Sequence, residues 1–305
     1  MPELLRRVEE RLAALAAGHG AALAEHAGAT IAAGGKRLRP LLVFLAAGDG
    51  DGEGLVRAAT AVELVHSATL VHDDVLDGAA LRRGVPTVVA SAGRGAATAT
   101  GDLLFARAFA ELVRNASADE IRVLSDASCA LAEGELLQRA DAWDAAVPVE
   151  RYLHRCELKT ARLFEAACRL GALEGGGEAD GLGAFGRRIG LAFQLLDDVL
   201  DVSGPASRTG KQRGTDLLDG TVTLPYILAR ERDPELAALD PHSVREPAEA
   251  ERVCNRIEAT GALDEARRRA LEIVDDAKER LPAGLPDRQR AALELVANGV
   301  VARYA

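Results

Sequence analysis

Two stretches of the chain repeat one pattern of acids. "LVHDDVLDGAALRRG" carries Asp73, Asp74 and Asp77, and "FQLLDDVLDVSG" carries Asp197, Asp198 and Asp201. Both read DDVLD near the C-terminal end of an apolar helical run. On a helix, residues i and i+4 share a face, so Asp73 with Asp77, and Asp197 with Asp201, can each aim two carboxylates at one point. The middle acid, Asp74 or Asp198, is turned about 100° away and is read as a partial or supporting ligand. Carboxylates at a helix C-terminus meet the negative end of the macrodipole and call for positive compensation. A small set of hard oxygen ligands suits Mg²⁺, which keeps waters and takes up substrate phosphate oxygens. A lone DDxxD reads more readily as a solvated helix end. Two copies inside apolar helices, each followed by basic residues, do not.

Those basic residues are concentrated. Lys36, Arg37 and Arg39 lie in "GGKRLRPLLV", Arg82 and Arg83 follow the first acidic motif, and Lys211 and Arg213 lie in "SGPASRTGKQRGTDLLDG". Carboxylate–Mg²⁺ pairs hold one diphosphate, whereas direct Lys and Arg contacts hold another without metal, so the pattern points to two diphosphate substrates. A formal net charge of −10 argues against a nucleic-acid partner. The phosphate should be small and locally bound.

The elements that must position these groups are helical. Hydrophobic residues make up 48% of the 305 and aromatics only 3%, with Ala and Leu dominating Val and Ile. Two helices are expected between Pro2 and about Ala33, then one from Pro40 to about Gly48 and a long buried one from Leu55 to Leu76. Further helices are expected over 99–114, 118–140, 149–172, 181–202, 222–232, 248–259, 262–280 and 287–304. The "DGAALRRGVPT" stretch breaks the long helix, "LEGGGEADG" reads as a plain connection, and the charged Gly-rich stretch before Thr221 reads as a functional loop. One all-α domain over 1–305 is expected. Cys129, Cys156, Cys168 and Cys254 form no CxxC pair and read as reduced thiols. No apolar run reads as approaching the roughly 18 residues of a membrane span, and the N-terminus is unlike a signal peptide, so a soluble, cytoplasmic protein without stable membrane insertion is expected.

With these motifs in view, the sequence resembles the trans-isoprenyl diphosphate synthases. "GGKRLRP", "ELVHSATLVHDDVLD", "LRRG", "GDLLFARA", "GELLQ", "KTARLF", "FQLLDDVLD", "GKQRGTDLLDG" and "TLP" occur in the family's order. The resemblance implies an all-α bundle around a deep central cavity, usually a homodimer. It implies that isopentenyl diphosphate is bound by Gly35, Lys36, Arg39, His66 and Arg83. The allylic diphosphate (dimethylallyl, geranyl, farnesyl or geranylgeranyl) would be bound with three Mg²⁺ ions by the two aspartate motifs, helped by Arg82, Lys159, Gln194 and Lys211. The loop around Lys211 would close over the site and exclude water. His72, beside Asp73, is read as either structural support or a hydrogen-bond partner for a carboxylate. One departure is that Thr221 in "GTVTLP" stands where the family usually has Lys.

Product length should depend on what blocks the cavity below Asp73. Thr69 and Ala68 stand where short-chain members often place aromatics, followed by Val65, Ala61 and Ala58. An extended isoprene unit is about as long as one helical turn of roughly 5.4 Å, so each small residue admits about one more unit. The floor would come from another helix, with Leu104, Phe105 and Phe109 as candidates. The first motif also lacks the two-residue insertion of bacterial farnesyl diphosphate synthases, so the expected product has twenty carbons or more. Two alternatives stay open: a non-catalytic partner subunit of a heteromeric synthase, and a class I terpene cyclase, which shares the helical fold and one DDxxD.

Overall fold

A computed structural model describes residues 1–18, 21–32, 34–35, 37–82, 84–204 and 213–302. It is all-α. The helices are α1 (Pro2–Ala17), α2 (Ala21–Ala32), α3 (Leu38–Ala47), α4 (Glu53–Asp77), α5 (Val88–Leu112), α6 (Ala118–Ala140), α7 (Val149–Cys156), α8 (Arg162–Gly175) and α9 (Ala179–Ser203). They are followed by α10 (Thr215–Leu218), α11 (Leu224–Arg232), α12 (Pro234–Ala238), α13 (Pro247–Ala259), α14 (Ala262–Glu279) and α15 (Asp287–Ala302). The sheet is a two-residue antiparallel pair, β1 (Leu81–Arg82) with β2 (Val85–Pro86), in which Leu81 faces Pro86 and Arg82 faces Val85.

Three departures from the sequence reading have local causes. α5 begins at Val88, well before the expected 99, because the Thr87 hydroxyl caps a first helical segment by accepting from Ala90 N at 3.2 Å, and the chain then kinks at Gly93, whose φ of 83° and ψ of 170° are not helical, before the longer segment that runs to Leu112. The expected single helix over 149–172 is interrupted by a π-helical turn, Glu157–Ala161. And α4 corrects the expectation about apolar runs. Its most apolar 18 residues have a mean hydropathy of 1.2, enough by length and composition to cross a membrane, yet 72% of that window is buried inside the protein.

The described chain forms two compact units. The first comprises Met1–Ser128, Leu163–Gly186 and Pro282–Leu293, and the second Cys129–Arg162, Arg187–Leu281 and Glu294–Ala305. In the first, α4 supplies much of the core, with Ala58, Ala61, Leu64, Val65 and Ala68 fully buried. α5 runs antiparallel along it: His72 lies beside Thr98 and Phe105, whereas Arg57, four turns earlier, donates to Asn115 at 2.7 Å. In the second, the inward face of α9 (Leu195, Leu196, Val199, Val202) is buried, as are Tyr152 and Leu224. Among the cysteines, Cys156, Cys168 and Cys254 are buried free thiols, and burial pushes Cys168 and Cys254 up to about 12.

Arg37 shows how the glycine-rich basic stretch is fastened. It sits at φ 45° at the start of α3 and donates to Glu9 and Glu63, both at 2.5 Å, and to the Ile31 carbonyl at 2.9 Å. One guanidinium thus ties α1, α2 and α4 together. Glu63 is buried, and burial raises its carboxyl above the ordinary 4.5 even against the attraction of Arg37. A raised carboxyl contributes stability that is complete below the unfolded-state value and is lost as pH climbs through the folded-state one. Arg37→Ala raises that carboxyl further, so the variant is expected to lose about 3 kcal/mol near neutral pH and less as pH falls towards 4.5. Urea unfolding at about pH 7.5 and about pH 5 checks this. Equal losses at the two pH values would mean that Glu63 is not what the arginine compensates.

Candidate active site

In the first unit the DDVLD residues form the last turns of α4, which stops at Gly78, at φ 62°. The helix places them at three depths. Asp74 is buried, Asp73 half-buried and Asp77 exposed. The buried carboxylate receives both the Nε (2.8 Å) and an Nη (2.7 Å) of Arg82, so β1 is held against the end of α4 by that pair. The two outer acids of the motif therefore share a helix face while the middle one engages the protein, as the 100° step requires. Arg82 neutralises the cluster from within.

His72 is fixed from α5. Its ring stacks on Phe105 with centroids 6.0 Å apart and places Nε2 3.3 Å from an Asp102 carboxylate oxygen. A side chain at Gly101 would begin 2.2 Å from that nitrogen, so the glycine of "GDLLFARA" is there to admit the imidazole. The carboxylate that His72 meets is thus Asp102. His66 is half-buried two turns up, and its carbonyl accepts from Thr69 Oγ at 2.8 Å. Gly35 is exposed, and the Arg39 guanidinium lies 4.6 Å over the ring of the buried Phe164, a cation–π contact that orients it.

In the second unit the same arrangement recurs with different partners. Asp197 is exposed, Asp201 half-buried and Asp198 buried. One oxygen of Asp198 accepts from the Tyr152 hydroxyl at 2.6 Å and the other from Gln194 Nε2 at 2.7 Å. Burial pushes the Asp198 carboxyl up to about 7, with the two hydrogen bonds pulling the other way and the neighbouring Asp197 adding to the rise. Gln194 in turn accepts from Thr160 Oγ at 2.7 Å, and Thr160 follows Lys159 in the π-helical turn, where the extra residue swings this segment off a regular helix path. Lys159 pairs with Glu135. Its backbone comes so close to α6 that a side chain at Gly134 would begin 2.5 Å from Lys159 N. Asp201 accepts from the backbone N–H groups of Thr215 and Asp216, both at 3.2 Å, and so caps α10. Thr221 is half-buried, and its N–H donates to the Asp216 carbonyl at 2.8 Å.

Lys36, Arg83 and Lys211, with the rest of 205–212, lie outside the described residues. Two cations counted in the sequence reading prove to be structural. Arg37 is committed to Glu9 and Glu63, and Arg213 to the Val202 carbonyl, Asn255 and Glu258. Phe105, expected among residues that wall the cavity below the motif, sits level with it against His72. The antiparallel course of α5 carries Phe109 one turn further down. Four partners were missed from sequence: Tyr152, Glu135, Gly101 and Asp102. Only the last three had a signal, since they fall inside the "GELLQ" and "GDLLFARA" stretches, and a glycine within a helix pattern points to a close approach.

Among the described residues, no three His, Cys, Asp or Glu side chains converge into a metal site. The first and last acids of each motif form an all-oxygen donor set on one helix face, with Asp201 also bonded to the α10 backbone, and Mg²⁺ completes oxygen sets with water and phosphate oxygens.

Residues 21–259 match the family model described as Polyprenyl synthetase. The chain is 39% identical over 290 residues to heptaprenyl diphosphate synthase component 2 of Geobacillus stearothermophilus, covering 92% of this chain and 90% of that one. It is 37% identical over 266 residues to octaprenyl diphosphate synthase of Escherichia coli, covering 84% and 82%. A crystal structure of polyprenyl synthase from Caulobacter crescentus, complexed with calcium and isoprenyl diphosphate, superposes with a TM-score of 0.91 at 37% identity, covering all of this chain and 95% of the other. Two buried middle aspartates, paired outward carboxylates and these likenesses over nearly the full length lead to one conclusion: the chain is a prenyltransferase of the polyprenyl synthetase family, with the all-α isoprenoid synthase fold.

Proposed function

We propose that the chain is an Mg²⁺-dependent trans-polyprenyl diphosphate synthase that joins isopentenyl diphosphate head-to-tail to an allylic diphosphate and gives a product of twenty carbons or more. The observation that carries the reading is the shared construction of the two DDVLD motifs, each with its middle acid buried and held by protein and its first and last acids on another face of the helix, Asp201 also accepting from the backbone of α10. Mg²⁺, three ions in this reading, supplies positive charge to the departing diphosphate. Asp73, Asp77, Asp197 and Asp201 position that charge. Lys159 and Lys211 add direct neutralisation, Arg82 adds positive charge beside the first motif while bonded to Asp74, and Gln194 orients the group. Gly35, Lys36, Arg39, His66 and Arg83 hold isopentenyl diphosphate without metal.

The reaction follows from those roles. The allylic C–O bond breaks and its electron pair leaves on the diphosphate. The isopentenyl double bond attacks the resulting delocalised cation at C1, forming the new C–C bond. A proton is then lost to the released diphosphate, which gives a chain five carbons longer plus diphosphate and H⁺. Apolar α4 and α5 surfaces around the growing chain keep water from the cation. With Thr221 in place of lysine, the allylic diphosphate has one cation fewer, so its binding leans more on the aspartates.

We further propose a cytoplasmic homodimer without stable membrane insertion. The name of the Geobacillus relative, a component 2, favours a second reading in which this chain works with a partner chain. Activity that appears only when a partner is added would establish that reading and overturn the homodimer.

The purified chain with Mg²⁺, isopentenyl diphosphate and each allylic primer is expected to yield a ladder of products ending at twenty carbons or beyond by mass spectrometry. Cyclic hydrocarbons, or a ladder ending at fifteen carbons or fewer, would overturn the assignment. Asp197→Asn should lower kcat on the order of a hundredfold or more, because transition-state charge stabilisation is lost. Ala68 is fully buried in α4, one turn and a residue below Asp73. Ala68→Phe is expected to shorten the dominant product by at least one five-carbon unit, about the length of a helical turn. An unchanged product distribution would show that α4 does not wall the growing chain.

A further inference from the structure

We propose that Tyr152 is a positioning residue for the second aspartate motif: by holding Asp198 it sets the rotation of the last turns of α9, and with it the direction in which Asp197 and Asp201 present their carboxylates to a metal-bound diphosphate. This rests on the reading under Proposed function. It concerns a residue of α7 that lies in none of the motifs by which the family resemblance was recognised.

The geometry is closed on both sides. Tyr152 is fully buried, and its hydroxyl lies 2.6 Å from one oxygen of Asp198, while Gln194 occupies the other at 2.7 Å. Gln194, four residues earlier on α9 itself, fixes the carboxylate relative to the helix, while the Tyr152 bond ties that carboxylate to α7, so α9 cannot turn about its axis without breaking the Tyr152 bond. At about 100° per residue, Asp197 stands roughly 100° to one side of Asp198 and Asp201 roughly 60° to the same side. The two outward acids therefore lie about 40° apart and move together when the helix turns. The same bonds continue through Gln194 to Thr160, the neighbour of Lys159, so the lysine and the acids are aligned by one buried chain of donors and acceptors. The Tyr152 ring is itself fixed: the Arg155 guanidinium lies over it at 5.5 Å and donates to the Val222 carbonyl at 2.5 Å.

Tyr152→Phe removes the hydroxyl and keeps the ring. Binding of Mg²⁺ with inorganic pyrophosphate is measured by calorimetry on the full chain, alongside the KM values for an allylic primer and for isopentenyl diphosphate. We expect the variant to bind Mg²⁺–pyrophosphate about tenfold more weakly and to raise the allylic KM, with the isopentenyl KM unchanged, the scale seen when groups that orient metal ligands are removed. In an Asp198→Asn background the same change should add little, since Tyr152 acts through that carboxylate. Wild-type pyrophosphate affinity in the phenylalanine variant, equal rises in both KM values, or additive losses in the double variant would overturn the proposal. If Tyr152→Phe does not fold, Asp198→Asn alone carries the test, and unchanged Mg²⁺–pyrophosphate affinity sinks it. Because binding is read without turnover, a wild type that binds Mg²⁺–pyrophosphate but condenses nothing defeats the synthase reading and leaves this comparison intact.

Discussion

The structure depends on burying a carboxylate beside each place where carboxylates are to be exposed. A helix that ends in DDVLD cannot turn its first and last acids to one face without rotating the middle acid towards the protein. A buried carboxylate is tolerated only when its oxygens are bonded. In the first unit the answer is an arginine: Arg82 reaches back from β1 and places two donors on Asp74. In the second it is a pair of neutral donors, Tyr152 and Gln194, on Asp198. Each solution fastens a neighbouring segment to the end of the motif helix, so the fold around each motif follows from satisfying one acid.

The two solutions differ electrically. Asp74 is bonded to a full positive charge, whereas the donors bonded to Asp198 are neutral, with Arg155 only nearby, and its carboxyl rises to about 7 through burial. The second motif is therefore the more charge-strained of the two before any cation arrives. Local positive charge relieves both kinds of strain at once, that of the buried acid and that of the outward pair at the negative end of α9. The proposed cation binding at this motif would thereby be coupled to the stability of the helix end that offers it.

The helices were legible because their period is carried by many residues: α4, α6, α13 and α14 fall within a few residues of the sequence expectation. What escaped was local chemistry that competes with the period. The Thr87 cap starts α5 early, and the extra residue of the π-turn at Glu157–Ala161 leaves no gap in the apolar pattern. The aspartates were legible from spacing alone, as was the inward turn of Asp74 and Asp198. Of their partners, Arg82 and Gln194 lay inside the motif stretches, whereas Tyr152, which meets Asp198 from α7, lay in none of them. Arg37 and Arg213 were misjudged for a related reason. Clustered cations announce an anion, but sequence does not distinguish a ligand phosphate from Glu9, Glu63 or Glu258.

That ambiguity is resolved by what each cation holds. A guanidinium bonded to a buried acid and a backbone carbonyl, as Arg37 is, has its donors committed to joining helices, and moving it would strand Glu63 in the core. Arg39, two residues on, is oriented instead by the face of Phe164. The basic stretch thus divides its labour. One arginine pins the segment to α1, α2 and α4, and its neighbour is presented on an aromatic platform with its direction set. Rigid placement of this kind is what the proposed metal-free diphosphate pocket would require, because flexible cations would give back in ordering entropy what they gain in attraction.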